Sequence, residues 1–78
     1  MHIGEIIKET LEKQGKTVVW FASALHCHRT NVYKIFSKSS INTQDLMRIS
    51  RILDTDFFDM YSEMLVKQIH KQDVTDLM

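Results

Sequence analysis

The sequence predicts an all-α fold of five helices in one small domain. Its 78 residues contain no proline and only two glycines, so the chain has few residues that interrupt a helix. Apolar side chains recur three and four residues apart in successive segments, which is the spacing of one helix face. No segment shows the alternation of apolar and polar residues that is typical of a half-buried strand. These observations indicate helices with short connections between them.

The first predicted helix runs from about Ile3 to Gln14. Ile3, Ile7 and Leu11 lie four residues apart and form its apolar face. Gly15 follows directly, and a glycine at this point accepts the left-handed conformation that ends many helices. We therefore expect Gly15 to be the C-terminal cap.

Two short helices with a tight break between them are predicted next. Thr17 offers a cap for helix 2, which ends near Leu25. The apolar spacing then restarts, and helix 3 runs from about His28 to Ser37. A short helix, a turn and a second helix form a unit that can place the second helix in the major groove of DNA.

Two further helices complete the predicted fold. Thr43 is the predicted cap of helix 4, and Asp56 is the predicted cap of helix 5, which continues to about Gln72. Helix 4 is expected to bury an apolar face formed by Leu46, Ile49 and Leu53. We therefore predict a helix–turn–helix domain over residues 1–61 and a C-terminal helical extension and tail over residues 62–78.

The net charge of the chain is zero, but the charges are unevenly distributed. Residues 29–51 contain five lysines and arginines against one aspartate, a local charge of +4. Residues 52–78 contain two lysines against six acidic residues, a local charge of −4. A local positive field attracts a polyanion even where the total charge is zero, so a nucleic-acid partner is compatible with this composition.

The cysteine content and the hydropathy of the sequence predict the cellular compartment of the protein. The single cysteine, Cys27, excludes an intrachain disulfide and fits a reducing compartment. The N-terminal segment is too polar for a signal peptide, and the longest apolar run, residues 18–22, is too short to cross a membrane. We therefore predict a cytoplasmic protein without membrane association.

A set of apolar, glycine and polar positions extends over residues 3–61 and begins with Ile3-Gly4-Glu5. The remaining positions of the pattern are Gly15, Thr17, Phe21, Ala22, Leu25, Arg29, Val32, Ile35, Leu46, Ile49, Leu53, Phe57 and Tyr61. In this pattern the chain resembles the five-helix DNA-binding domain of phage repressors and Cro proteins, the Xre family. The resemblance implies a lambda-repressor-like fold in which helix 3 enters the major groove.

The resemblance also implies which side chains contact DNA. Arg29, Thr30 and Lys34 would face base edges, and arginine can donate two parallel hydrogen bonds to guanine. Backbone contacts would come from a second set of polar side chains: Thr17, His28, Asn31, Tyr33, Ser37, Lys38, Ser39 and Ser40. A lysine among these neutralises phosphate without reading sequence.

These features predict a non-enzymatic transcriptional regulator that binds specific double-stranded DNA as a homodimer. Operator readers of this type usually act as two-fold pairs, and apolar side chains in the extension provide a possible contact between two copies. Those side chains are Met64, Leu65 and Ile69. The same residues are also suited to pack back on the core of their own chain.

Departures from the family pattern favour an alternative function. Val18 replaces a glutamine that often contacts phosphate, Val19 and Trp20 are apolar where the family is polar, and Phe36 replaces a common glutamate. These changes are expected to place apolar groups near the DNA-facing rim. The alternative is a protein-interaction module of the same fold, of the antitoxin or phage accessory type, with weak or no DNA binding.

The segment His26-Cys27-His28 suggests a metal site, but its spacing argues against one. Three adjacent residues rarely converge on one ion, and structural zinc sites space their ligands further apart. We expect Cys27 to pack in the core and His26, at a position where the family has glycine, to require a left-handed or adjusted backbone. No metal, cofactor, small-molecule ligand or catalytic group is predicted.

Overall fold

A computed structural model of the chain describes the backbone of residues 1–77 and the side chains of residues 1–69. The described part is all-α, which confirms the predicted fold class, and has five helices and no strand. The helices are α1 (Ile3–Lys13), α2 (Val18–Ala24), α3 (Arg29–Phe36), α4 (Thr43–Ile52) and α5 (Phe57–Leu77). The molecule is elongated, with principal extents of 53 × 20 × 18 Å. Among the described residues, no helix has both the length and the apolar composition of a membrane span.

Two helix ends differ from the prediction. Asn42, rather than Thr43, caps α4, because its Oδ1 accepts the Asp45 N–H at 2.8 Å while its Nδ2 donates to Asp45 Oδ2 at 2.9 Å. Thr43 is instead the first helical residue. Helix α5 continues to Leu77 rather than ending near Gln72, because no glycine or proline follows to interrupt it.

The other two predicted N-terminal caps are confirmed. The hydroxyl of Thr17 accepts the Trp20 N–H at 3.0 Å at the start of α2. The carboxylate of Asp56 accepts the Asp59 N–H at 3.1 Å at the start of α5. Each bond satisfies one of the backbone donors that a helix leaves without an internal partner.

Three helices end with a residue in the left-handed conformation. These residues are Gly15 after α1 (φ 68°), His26 after α2 (φ 56°) and Asp54 after α4 (φ 48°). At the second of these ends, the His26 N–H donates to Ser23 and the Cys27 N–H donates to Ala22, at 3.1 and 3.0 Å. This pair of bonds satisfies carbonyls at the end of α2. The positive φ values confirm the expected cap at Gly15 and the expected left-handed backbone at His26.

The core is formed by one cluster of buried apolar side chains from all five helices and their ends. Its members are Ile3, Ile7, Leu11, Phe21, Ala22, Leu25, Val32, Phe36, Leu46, Ile49, Leu53 and Phe57. The rings of Phe21 and Phe36 stack with centroids 6.5 Å apart, and Phe36 is only 9% exposed. The expectation that Phe36 places an apolar group near the DNA-facing rim is therefore wrong, because its side chain points into the core.

Candidate nucleic-acid interface

Helix α3 has a buried face and an exposed polar face. Val32 and Phe36 lie in the core, and the helix packs against both α1 and α2. The three predicted base readers, Arg29, Thr30 and Lys34, are all exposed. The core therefore fixes the orientation of α3 while its donor side chains remain accessible to a ligand.

The predicted contact residues of α3 lie on two neighbouring surfaces rather than one. The first is a depression on the outer side of the helix, lined by His28, Arg29, Thr30 and Tyr33. The second is a groove between α3 and α4, lined by Leu25, Cys27, Asn31, Lys34, Ile35, Lys38, Asp45 and Ile49. Lysine side chains of the groove and the arginine of the depression are thus separated across the exposed face of α3.

The Tyr33 ring is held in place on the exposed face of α3. It is 57% exposed, yet it makes an edge-to-face contact with Phe36, with centroids 6.3 Å apart and an interplanar angle of 82°. Phe36 in turn stacks on the fully buried Phe21. The ring is therefore an exposed aromatic surface whose position is set by the core.

The start of α3 has no side-chain cap, and among its first backbone donors the Asn31 N–H already donates to the His28 carbonyl at 3.0 Å. His28 occupies the cap position, but its side chain accepts no capping hydrogen bond. The first backbone N–H groups of a helix attract anions when no side chain satisfies them. In α3 these groups lie beside the side chains of Arg29 and Thr30, which follow His28 in sequence.

The loop after α3 has a fixed backbone and exposed side chains. The Gly4 N–H donates to the Lys38 carbonyl at 2.9 Å, and the Ile3 N–H donates to the Ser39 carbonyl at 3.4 Å. The side chains of Lys38, Ser39 and Ser40 are exposed. These predicted backbone contacts are therefore displayed on a loop that the N-terminus of α1 holds in place.

Two of the predicted backbone contacts already use their hydroxyl groups within the protein. The Ser37 hydroxyl donates to the Lys34 carbonyl at 2.7 Å, so its proton is directed back to the helix. The Thr17 hydroxyl accepts the Trp20 N–H at 3.0 Å, which leaves its own proton available to a phosphate. Thr17 is thus better prepared than Ser37 to donate a hydrogen bond to DNA.

The positive block of the sequence is divided in the structure. Arg29, Lys34 and Lys38 belong to α3 and its loop, whereas Arg48 and Arg51 lie on α4. The Arg48 guanidinium donates to the Leu25 carbonyl at 3.0 Å. Arg48 and Arg51 line a separate depression with Ala24, His26 and Ile52.

This role of Arg48 was not found from the sequence. A cation near the carbonyl end of a helix is favourable, and Arg48 supplies one to the end of α2. Its partner lies 23 residues away, so no local spacing rule identifies the pair. The contact ties α4 to the end of α2, just before the turn that precedes α3.

The apolar departures at the start of α2 are only partly exposed. Val18 packs against the core, whereas Val19 is 60% exposed and Trp20 is 39% exposed. The Lys16 ammonium lies 4.3 Å from the centroid of the Trp20 ring, a cation–π distance. The exposed apolar surface here therefore consists of Val19 and the part of Trp20 that Lys16 leaves uncovered.

The His26-Cys27-His28 segment is divided between surface and core. Cys27 is half-buried against the core, which confirms its expected packing, and both histidines are exposed. Within the described residues, no group of three or more His, Cys, Asp or Glu side chains is arranged to hold a metal ion.

The part of α5 beyond Tyr61 presents apolar side chains to solvent. Exposed fractions are 38% for Met64, 55% for Leu65, 45% for Val66 and 44% for Ile69. The alternative in which these side chains pack back on the core of their own chain is therefore wrong, because each remains substantially accessible.

Comparison with known proteins finds no family model, no curated protein and no solved structure that matches this chain. The functional argument for this protein therefore depends on its own residues and geometry.

Proposed function

We propose that the protein is a helix–turn–helix DNA-binding protein of the lambda-repressor-like fold. In this proposal α2 and α3 are the helix–turn–helix pair, and α3 reads specific double-stranded DNA. The main supporting observation is that three donor side chains of α3, Arg29, Thr30 and Lys34, are exposed while Val32 and Phe36 anchor the helix in the core. The function that follows is transcriptional regulation in the cytoplasm.

The dimensions of α3 suit the major groove. An α-helix with its side chains is about 10–12 Å across, and the groove is about 12 Å wide, so α3 can lie within it. Arg29 is the residue assigned to guanine, because its guanidinium can donate to O6 and N7 together. Thr30 and Lys34 are assigned to neighbouring base edges as single donors.

Contacts to the phosphate backbone hold the protein in register on the duplex. Lys38 is exposed on a loop whose backbone is tied to α1, so a phosphate bound there has a defined position relative to α3. Thr17 at the start of α2, and His28 and Asn31 at the start of α3, are also exposed and are assigned to further backbone contacts.

The proposed active species is a homodimer that associates through α5. Leu65, Val66 and Ile69 share about 100° of the circumference of this helix, and their exposed apolar side chains lose contact with water when a second copy covers them. A two-fold pair places two copies of α3 on one face of the duplex, with half-sites about 34 Å apart.

Selection of bound duplexes from a random pool at physiological salt tests this function. We expect enrichment of a palindrome, which reports DNA binding, the two-fold pairing and the half-site spacing together. The control is an Arg29→Ala/Lys34→Ala variant, which changes two exposed side chains and should retain the fold while losing the enriched sequence. A pool that remains random with the unaltered protein would contradict the proposal.

A second candidate function is supported by the exposed apolar residues of α2. Val19 and Trp20 lie on a helix that would approach the DNA, where donors to phosphate are favoured over apolar groups. A protein-interaction module of the same fold, of the antitoxin or phage accessory type, would use them to bind a partner protein. This function would be favoured if the unaltered protein captures a partner protein that the Val19→Ser variant does not. The unaltered protein should then also show no salt-sensitive retention on DNA.

A further inference from the structure

We propose that Tyr33 is a specificity-determining residue, whose ring contacts the C5-methyl group of a thymine beside the base bound by Arg29. This inference rests on the proposed DNA-binding function and adds a named base preference to it. Thymine is the only base that presents a methyl group in the major groove, so an apolar contact there identifies it.

The position of Tyr33 on α3 places it between the base readers. Successive residues of a helix are rotated by about 100°, so Arg29 and Lys34 are about 140° apart around the axis. Tyr33 lies inside this arc, about 40° from Arg29 and one turn further along. A groove that receives both Arg29 and Lys34 therefore also receives Tyr33.

The depression on α3 brings the required chemistry together. Arg29, Thr30 and Tyr33 line the same surface, so an arginine fork, a threonine methyl and an aromatic ring lie side by side. The arginine fork suits guanine, and the threonine methyl with the ring suits the thymine methyl. The depression therefore suits a guanine and a thymine at adjacent positions of one half-site.

The aromatic contacts of Tyr33 make its ring suitable for discrimination. Because Phe36 contacts the ring and Phe21 supports Phe36, the ring is already positioned before DNA binds. A pre-positioned ring loses little conformational freedom on binding. Little of the favourable free energy of its contact with a methyl group is therefore offset by lost entropy. The phenolic hydroxyl remains free to donate to a phosphate, which agrees with the backbone role predicted for Tyr33.

Replacement of single thymines by deoxyuridine in the selected duplex tests this inference. Each replacement removes one methyl group and leaves the Watson–Crick pairing unchanged. We expect one thymine per half-site to lower affinity about fourfold, the effect of exposing one buried methyl group. The Tyr33→Ala variant should bind the thymine and deoxyuridine duplexes equally, and Tyr33→Phe should keep the discrimination while losing affinity for both.

The outcomes distinguish this inference from the proposed function. An enriched site at which every thymine tolerates replacement overturns the role of Tyr33 and leaves DNA binding intact. Methyl discrimination that persists in Tyr33→Ala overturns the assignment to this residue. The absence of any enriched site overturns both proposals. Because Tyr33 is 57% exposed, the variants should fold, and circular dichroism melting confirms this for each.

Discussion

Gly4 of α1 lies directly against the backbone carbonyl of Phe36 at the end of α3. A Cβ atom at residue 4 would overlap the carbonyl oxygens of Ile35 and Phe36. The Gly4 N–H meanwhile donates to the Lys38 carbonyl at 2.9 Å. The contact between the two helices therefore requires a residue without a side chain, and it fixes the end of the proposed reading helix and the loop that follows.

The Gly4→Ala variant should be less stable than the unaltered protein. Alanine favours a helix over glycine by about 1 kcal/mol, but overpacking against a backbone carbonyl costs about 1–3 kcal/mol. Because the backbone cannot move aside like a flexible side chain, we expect a net loss of unfolding free energy. Urea denaturation measures it, with Glu9→Ala, an exposed change in the same helix, expected to shift stability by less than about 0.5 kcal/mol. A Gly4→Ala protein as stable as Glu9→Ala would contradict this account.

The His26→Gly variant should be more stable than the unaltered protein. The left-handed conformation at His26, φ 56°, costs an L-residue about 1–2 kcal/mol, whereas glycine adopts it freely. The larger conformational entropy of glycine in the unfolded chain offsets about 0.5–1 kcal/mol of this gain. We expect a net increase of about 0.5–1 kcal/mol in thermal or urea denaturation. Ser23→Gly, inside α2, is the control and should destabilise; a similar loss in His26→Gly would show that the histidine is not strained.

The local features of the fold were predictable from the sequence. Apolar spacing identified the five helices, and cap chemistry identified Thr17 and Asp56, because both depend on residues within one or two turns. Thr43 was the wrong cap, because threonine and asparagine are both good caps and stand next to each other in the sequence.

The long-range contacts were not predictable. The Arg48 bond to the Leu25 carbonyl and the Gln14 bond to the Leu53 carbonyl join residues 23 and 39 positions apart. Phe36 was misplaced for a different reason: its spacing from Val32 fits the buried face of helix 3, but the family pattern, which has a glutamate there, suggested an exposed position. The candidate site was predicted as a set of residues, but its division into two surfaces depends on the groove that α3 and α4 border together, which no local spacing rule identifies.

The Arg29→Ala variant should lose affinity for the selected duplex and tolerate changes at one base pair. A bidentate contact with guanine contributes about 1–3 kcal/mol of discrimination, and alanine removes both donors. Binding titrations against duplexes with each base at that position measure the effect. Because Arg29 is exposed, its replacement should leave the fold unchanged. Unchanged binding to both random and selected duplexes after the change would rule out α3 as the reader.

The Lys38→Ala variant should weaken binding to all duplexes by a similar factor. A lysine that neutralises one phosphate releases about one counterion, so its loss should reduce the slope of log affinity against log salt concentration by about one. Titrations at several salt concentrations measure the slope. Lys13→Ala, an exposed change in the last turn of α1, is the control and should leave the slope unchanged. A Lys38→Ala protein that loses affinity only for the selected sequence would place Lys38 on a base instead.

The Leu65→Glu variant should be monomeric at concentrations at which the unaltered protein is a dimer. Leu65 is 55% exposed in the single chain, and a carboxylate at the centre of an apolar contact would lose its hydration without gaining a partner. Sedimentation velocity over a range of concentrations measures the association. Lys67→Glu alters the charge of an exposed residue on the other side of α5 and should leave the dimer intact.

DNA binding then distinguishes a dimer contact from an unrelated apolar surface. If α5 joins two copies, Leu65→Glu should lose cooperative binding to the full palindrome and keep the weaker affinity of one copy for a half-site, because α3 is unchanged. An unaltered protein that sediments as a monomer and still binds the palindrome cooperatively would assign dimerisation to the DNA-bound state, through a surface other than α5.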